Sequence, residues 1–163
     1  MIARDLLPVM VTMPAGAERS GAGQRAPLRI IVVEDEALVA LEIESFLGAA
    51  GHAVVGVVED RVSAAELAQQ VGPRPDLALV DVRLAGGASG LQVAADLAAL
   101  DIPVLFVTGN CPASYDQRIA VGCLQKPFTE GELLASVAAT AAILTGQALP
   151  RRLPSGLHLY GAG

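Results

Sequence analysis

From residue 28 onward the chain alternates short, wholly apolar runs with longer stretches in which apolar residues recur every three or four positions. "LRIIVV" (28–33), "AVVGVV" (53–58), "DLALV" (76–80), "IPVLFV" (102–107) and "GCLQ" (122–125) read as strands, the longer runs apolar enough to be buried on both faces. Val39, Ile43, Phe46, Leu47 and Ala50 then form one apolar helical stripe that Gly51 ends. Ser63 with Glu66, Ser89 with Gln92, and Thr129 with Glu132 are capping patterns that open further helices, the last running to about Leu144. A short helix is expected from Ser114 to about Val121.

The resulting order is βα repeated five times. Crossovers between parallel strands are right-handed almost without exception, so helices must cover both faces of one parallel sheet. The fold class expected is α/β, a doubly wound five-stranded parallel sheet. Residues 1–27, rich in Ala, Gly, Pro and Arg without periodicity, read as a flexible arm, 28–145 as the domain, and 146–163 as a flexible tail.

Composition narrows the possibilities. Apolar residues make up 53% and charged residues 17%, which suits a packed core and excludes disorder or coiled coil as descriptions of the bulk. Residues 28–145 hold 15 acids against 6 bases, a net of −9. Such an acidic body argues against nucleic acid as its direct ligand. No apolar run approaches the roughly 18 residues of a membrane span, and Asp5 and Pro8 interrupt the one signal-like stretch at the start. A cytoplasmic location is therefore expected. Cys111 and Cys123, without C-x-x-C spacing, read as two reduced thiols, with a disulfide or redox pair as the alternative. His52 and His158 read as surface or packing residues.

In a parallel sheet of this kind ligands bind beyond the carboxyl ends of the strands. There the first strand carries "EDE" (34–36), the third Asp81, the fourth Thr108 and the fifth Lys126, the chain's single lysine among ten arginines. Two carboxylates about 4 Å apart repel by roughly 4 kcal/mol at an effective dielectric of about 20, so a positive charge must sit between them. Clustered carboxylate oxygens suit Mg²⁺. A compact ammonium on a flexible stem suits an oxygen-rich group that comes and goes.

"IIVVEDE", "LALVDVRL", "LFVTG" and "LQKPF", in this order and at these strand ends, resemble the receiver domain of two-component response regulators, here of a stand-alone, single-domain type. The resemblance implies a flavodoxin-like (βα)5 fold with strand order 2-1-3-4-5. It implies Asp81 as phosphoacceptor, Thr108 as a hydrogen-bond donor to the phosphoryl group and Lys126 as its ion-pair partner. It further implies Mg²⁺ held by Asp81, directly by Asp35, through water by Glu34, and by the backbone carbonyl of Arg83, together with a cis Lys126–Pro127 bond. "PVLFVTGN" (103–110) partly matches the P-F-x-F-A-T-G-Y motif of the FAT GUY receiver subgroup, which implies histidine kinases of the HWE type as partners and a loosely ordered, signal-carrying segment over 109–121. A histidine kinase or phosphotransfer protein would supply the phosphoryl group, and a downstream protein target would read it.

Two departures stand out. The loop "VRLAGGASG" is about one residue longer than usual, and Cys123 occupies the place where receivers commonly carry an aromatic switch residue. Two other functional classes compete with the receiver. A haloacid-dehalogenase-type enzyme needs Asp-x-Asp, whereas this chain reads Asp81-Val82-Arg83, and no general acid or base for turnover is visible. The chain is accordingly not read as an enzyme. The alternative that stays open is a phosphorylation-independent protein-binding module on the same fold.

Overall fold

The computed structural model describes residues 26–161; the expected arm lies almost wholly outside them. The elements are β1 (Arg29–Val33), α1 (Ala37–Ala49), β2 (Ala53–Val58), α2 (Arg61–Gln70), β3 (Leu77–Val80), α3 (Gly90–Ala99), β4 (Val104–Thr108), β5 (Ala120–Gln125), α4 (Glu130–Leu144) and β6 (Leu157–Leu159). They form one sheet in the order β2-β1-β3-β4-β5-β6. The first five strands are parallel and β6 is antiparallel to β5. The expected 2-1-3-4-5 order is therefore present, with one strand added at its edge.

Strand alternation sorts the core into two layers. Ile31, Val33, Ala78, Val80 and Phe106 point to the face covered by α2 and α3, where they meet Ala64, Val93 and Leu97. Ile30, Val32, Leu77, Leu79 and Leu105 point the other way, onto Ile43 and Leu47 of α1 and Leu133 and Val137 of α4. Both faces of each central strand are thus buried, which is why the strands read as continuous apolar runs.

Helix starts follow their caps. Thr129 and Glu132 make the expected capping box, and Ser89 accepts from the Leu91 amide. Helix α2 begins at Arg61, two residues before Ser63, because Asp60 is its cap and accepts from the Ser63 amide at 2.8 Å.

Two expectations are corrected between β4 and the C-terminus. No helix forms over 114–121. β5 already begins at Ala120, so only residues 109–119 connect it to β4, and a crossover that includes a helix needs at least about 10–12 residues. Gly109 and Pro112 shorten the usable stretch further. The connection is a loop in which the Phe106 and Tyr115 rings meet edge-to-face, with centroids 5.1 Å apart.

The segment expected as a flexible tail supplies β6. Leu157 and Leu159 join the α1/α4 side of the core, Tyr160 joins the other side, and the Gln125 and Tyr160 amides continue the β5–β6 pairing onto Gly156 and Val121. Gly122 makes this approach possible, since a Cβ there would lie 2.5 Å from the His158 carbonyl oxygen.

Candidate functional site

The site residues are placed by the sheet ladders. The Glu34 amide donates to Val58 O and the Asp81 amide to Val33 O, each one step past a strand end. The Lys126 amide donates to Thr108 O at 2.8 Å, which locks the end of β5 to the end of β4. Four strand ends, those of β1, β3, β4 and β5, therefore deliver Glu34, Asp81, Thr108 and Lys126 to one rim. The Lys126–Pro127 bond is cis, as the resemblance implies.

At that rim Lys126 Nζ donates to Glu34 Oε2 at 2.6 Å and to Asp81 Oδ2 at 2.8 Å, and lies 3.9 Å from Glu36 Oε1. The side chains of Glu34 and Asp81 are only 1% and 6% exposed. The positive charge that two buried carboxylates require is thus the ammonium itself. Burial pushes the Glu34 carboxyl above its ordinary value of 4.5, and the hydrogen bond from Lys126 offsets this only in part. For Lys126, burial acts downward, but the hydrogen bonds to Asp81 and Glu34 outweigh it and raise the pKa, so the side chain stays charged. The other Asp81 oxygen, Oδ1, accepts from the Arg83 amide at 3.0 Å.

A pocket of about 340 Å³ opens here, lined by Asp81, Thr108, Lys126, Glu36, Arg83 and the loop residues Gly109 and Asn110. Thr108 is 1% exposed. Carboxylate oxygens of Glu34, Glu36 and Asp81 lie within 4.8 Å of one another, a hard-oxygen set suited to Mg²⁺ by its chemistry.

Asp35, the residue implied as a direct ligand, is not in that group. Its Oδ2 accepts from the Ala85 amide at 2.8 Å, in the loop after β3. Glu36 takes its place among the clustered oxygens, and its own amide donates to Glu34 Oε1. The loop that holds Asp35 is the elongated one, tightened by a 3₁₀ turn over Ala85–Gly87 in which Gly86 and Gly87 both have positive φ.

Sequence reasoning missed Gly90. A Cβ at Gly90 would lie 1.9 Å from the Asp81 carbonyl oxygen, so α3 can start against the end of β3 only with glycine there. A glycine directly after the Ser89 cap was the available signal. The two cysteines also differ from expectation. Cys111 and Cys123 form a disulfide rather than two free thiols, because the loop folds back over β5, where Cys123 stands opposite Phe106. His52 fits its packing role, with Nδ1 accepting from the Leu28 amide at 3.1 Å.

Comparison with known proteins agrees with this architecture. The response regulator receiver domain pattern matches residues 30–138. The phyllosphere-induced regulator PhyR of Methylorubrum extorquens is 34% identical over 116 residues, covering 66% of this chain and 41% of that protein. The chain therefore spans less than half of that relative. Among solved structures, the signal receiver domain of a modulated diguanylate cyclase from Desulfovibrio desulfuricans G20 is 32% identical with a TM-score of 0.60, covering 69% of this chain and 92% of that one. A variant of the anti-anti-sigma factor PhyR from Bartonella quintana is 27% identical with a TM-score of 0.63, covering 77% and 52% respectively. With the pattern spanning most of the sequence and the five parallel strands in the matching fold, this chain belongs to the response regulator receiver domain family of two-component signalling.

Proposed function

We propose that Asp81 accepts a phosphoryl group from the phosphohistidine of a histidine kinase or phosphotransfer protein, and that the modified domain signals by altered protein–protein binding. The observation that carries this reading is the Lys126 ammonium 2.8 Å from a buried Asp81 carboxylate, in a pocket that Thr108 also lines. An Asp81 oxygen attacks phosphorus in line, the O–P bond forms as the N–P bond breaks, and the leaving imidazole takes a proton. The product carries about −1.5 to −2 charge in place of −1. Lys126 neutralises part of it, and the Thr108 hydroxyl donates to a phosphoryl oxygen.

Asp81 and the acids of 34–36, with the Arg83 carbonyl, are the residues that would hold Mg²⁺; Asp35 would have to leave the Ala85 amide to join them. When bound, the cation supplies charge neutralisation for the transferring group.

The Bartonella relative is described as an anti-anti-sigma factor, which supports an output made by protein contact. By the partial P-F-x-F-A-T-G-Y match at 103–110, the donor kinase in this reading is of the HWE type. No described helix is long and apolar enough to cross a membrane, and we place the domain in the cytoplasm. Transfer from a phosphorylated HWE-type kinase to this chain, absent in Asp81→Asn, is the expected result. A chain that binds its target equally with and without phosphodonor, and never gains a phosphoryl group, would instead be a phosphorylation-independent binding module.

A further inference from the structure

The chain's two cysteines, Cys111 and Cys123, are joined although their surroundings differ. Cys123 is wholly buried in β5, between Phe106 of β4 and His158 of β6. Cys111 is half-buried on the loop after β4. Gly109 and Asn110, the two residues before it, line the Asp81 pocket. The bond is therefore a covalent tie from the pocket's rim into the interior of the sheet. What else holds the loop to the body is non-covalent: Tyr115 on Phe106 and near Tyr160, Ile119 against the core at the loop's end, and the Tyr160 hydroxyl donating to Pro112 O at 2.9 Å. The Asp116–Arg118 pair lies within the loop itself.

We propose that Cys111–Cys123 is a thiol–disulfide exchange site for a dithiol reductant, and that its redox state sets the mobility of residues 109–119 and so the shape of the pocket rim. Cys111, the more accessible sulfur, is the one an attacking thiolate reaches. The attack forms a mixed disulfide at Cys111 and expels the Cys123 thiolate, which takes a proton. The reductant's second thiol then attacks its own sulfur in the mixed disulfide. Cys111 leaves as a thiol and the reductant departs as an internal disulfide. Two electrons and two protons pass to the chain, and nothing else is consumed. In the cytoplasm proposed above, protein disulfides are characteristically transient and redox-sensing. With the bond open, Cys123 stays packed between β4 and β6, while the loop keeps its non-covalent contacts, Tyr115 and Ile119 on the core and Pro112 O on Tyr160, and opens locally.

The inference goes beyond the phosphoacceptor reading and is read on the unphosphorylated chain, so the two can fail separately. The full chain is equilibrated in oxidised or reduced dithiothreitol, its thiols are counted by alkylation and mass, and amide exchange is followed. The expected result is no free thiol in the oxidised buffer and two in the reduced one. On reduction, exchange over 109–119 becomes at least about tenfold faster while β1 and β3 are unchanged. A Cys111→Ser chain exchanges like the reduced chain in either buffer. Two free thiols in the oxidised buffer would overturn the proposal, as would equal exchange over 109–119 in both states. Faster exchange throughout β1 and β3 would also overturn it, because the bond would then be a staple of the whole domain.

Discussion

Lys126 Nζ lies 2.6 Å from Glu34 Oε2, joining residues 92 positions apart inside a site where the glutamate side chain is 1% exposed. The pair stands or falls together with Asp81. Replacing Lys126 by Met leaves two buried carboxylates without their cation, and breaking a buried pair in this way costs about 3–5 kcal/mol. Denaturant unfolding of Lys126→Met in chelator should show a loss near the low end of that range, since the pocket is open to water. Adding Glu34→Gln, which removes one of the stranded charges, should restore part of it.

Asp35 and Glu36 make opposite claims on the cation. Glu36 already sits with Glu34 and Asp81, but its side chain is 67% exposed, whereas Asp35 is held on a loop amide. Asp35→Asn should raise the Mg²⁺ concentration needed for half-maximal phosphorylation by about tenfold or more, and Glu36→Gln should raise it less. Titration of phosphorylation rate against Mg²⁺ measures both, and the reverse order would reassign the ligands.

His52 gives a pH dependence of defined sign. Burial lowers its pKa below the ordinary value of 6.5, so the unfolded chain takes up a proton that the folded chain resists. Its contribution is fully present above the unfolded value and is lost as pH falls through the folded one. Thermal melts from pH 7.5 down to 5 should therefore show a smaller drop for His52→Gln than for the natural chain.

Tyr160 anchors the added strand to the loop. Tyr160→Phe removes the hydroxyl's bond to Pro112 O and should cost about 1 kcal/mol. Tyr160→Ala also removes a buried ring that packs near Tyr115, and should cost about 3 kcal/mol. Urea midpoints of the two variants check the ratio.

Much of this was legible in the sequence because the informative residues obey local rules. Runs such as "IIVV" are apolar at every position because both strand faces are covered, and the Thr129–Glu132 box marks its helix start by chemistry alone. Glu34, Asp81, Thr108 and Lys126 could be brought together from the sequence because each stands at or one step past a strand end of one parallel sheet. What was not legible depends on non-local geometry. The loop in place of a helix follows from β5 starting at Ala120, a register set by β4. The Cys111–Cys123 bond follows from that same fold-back. β6 is three residues long, in a segment rich in Pro and Gly, and its alternation of Leu157, His158 and Leu159 has meaning only against an open β5 edge. The orientation of Asp35 is set by one amide of a distant loop.

The most direct measurement of the central claim is intact mass of the chain incubated with a small phosphodonor, with and without Mg²⁺, followed by reductive trapping and peptide mapping. A single added phosphoryl group that requires Mg²⁺, maps to Asp81 and is absent from Asp81→Asn is the predicted result. No mass gain, or a phosphoryl group that maps elsewhere and survives Asp81→Asn, would contradict it.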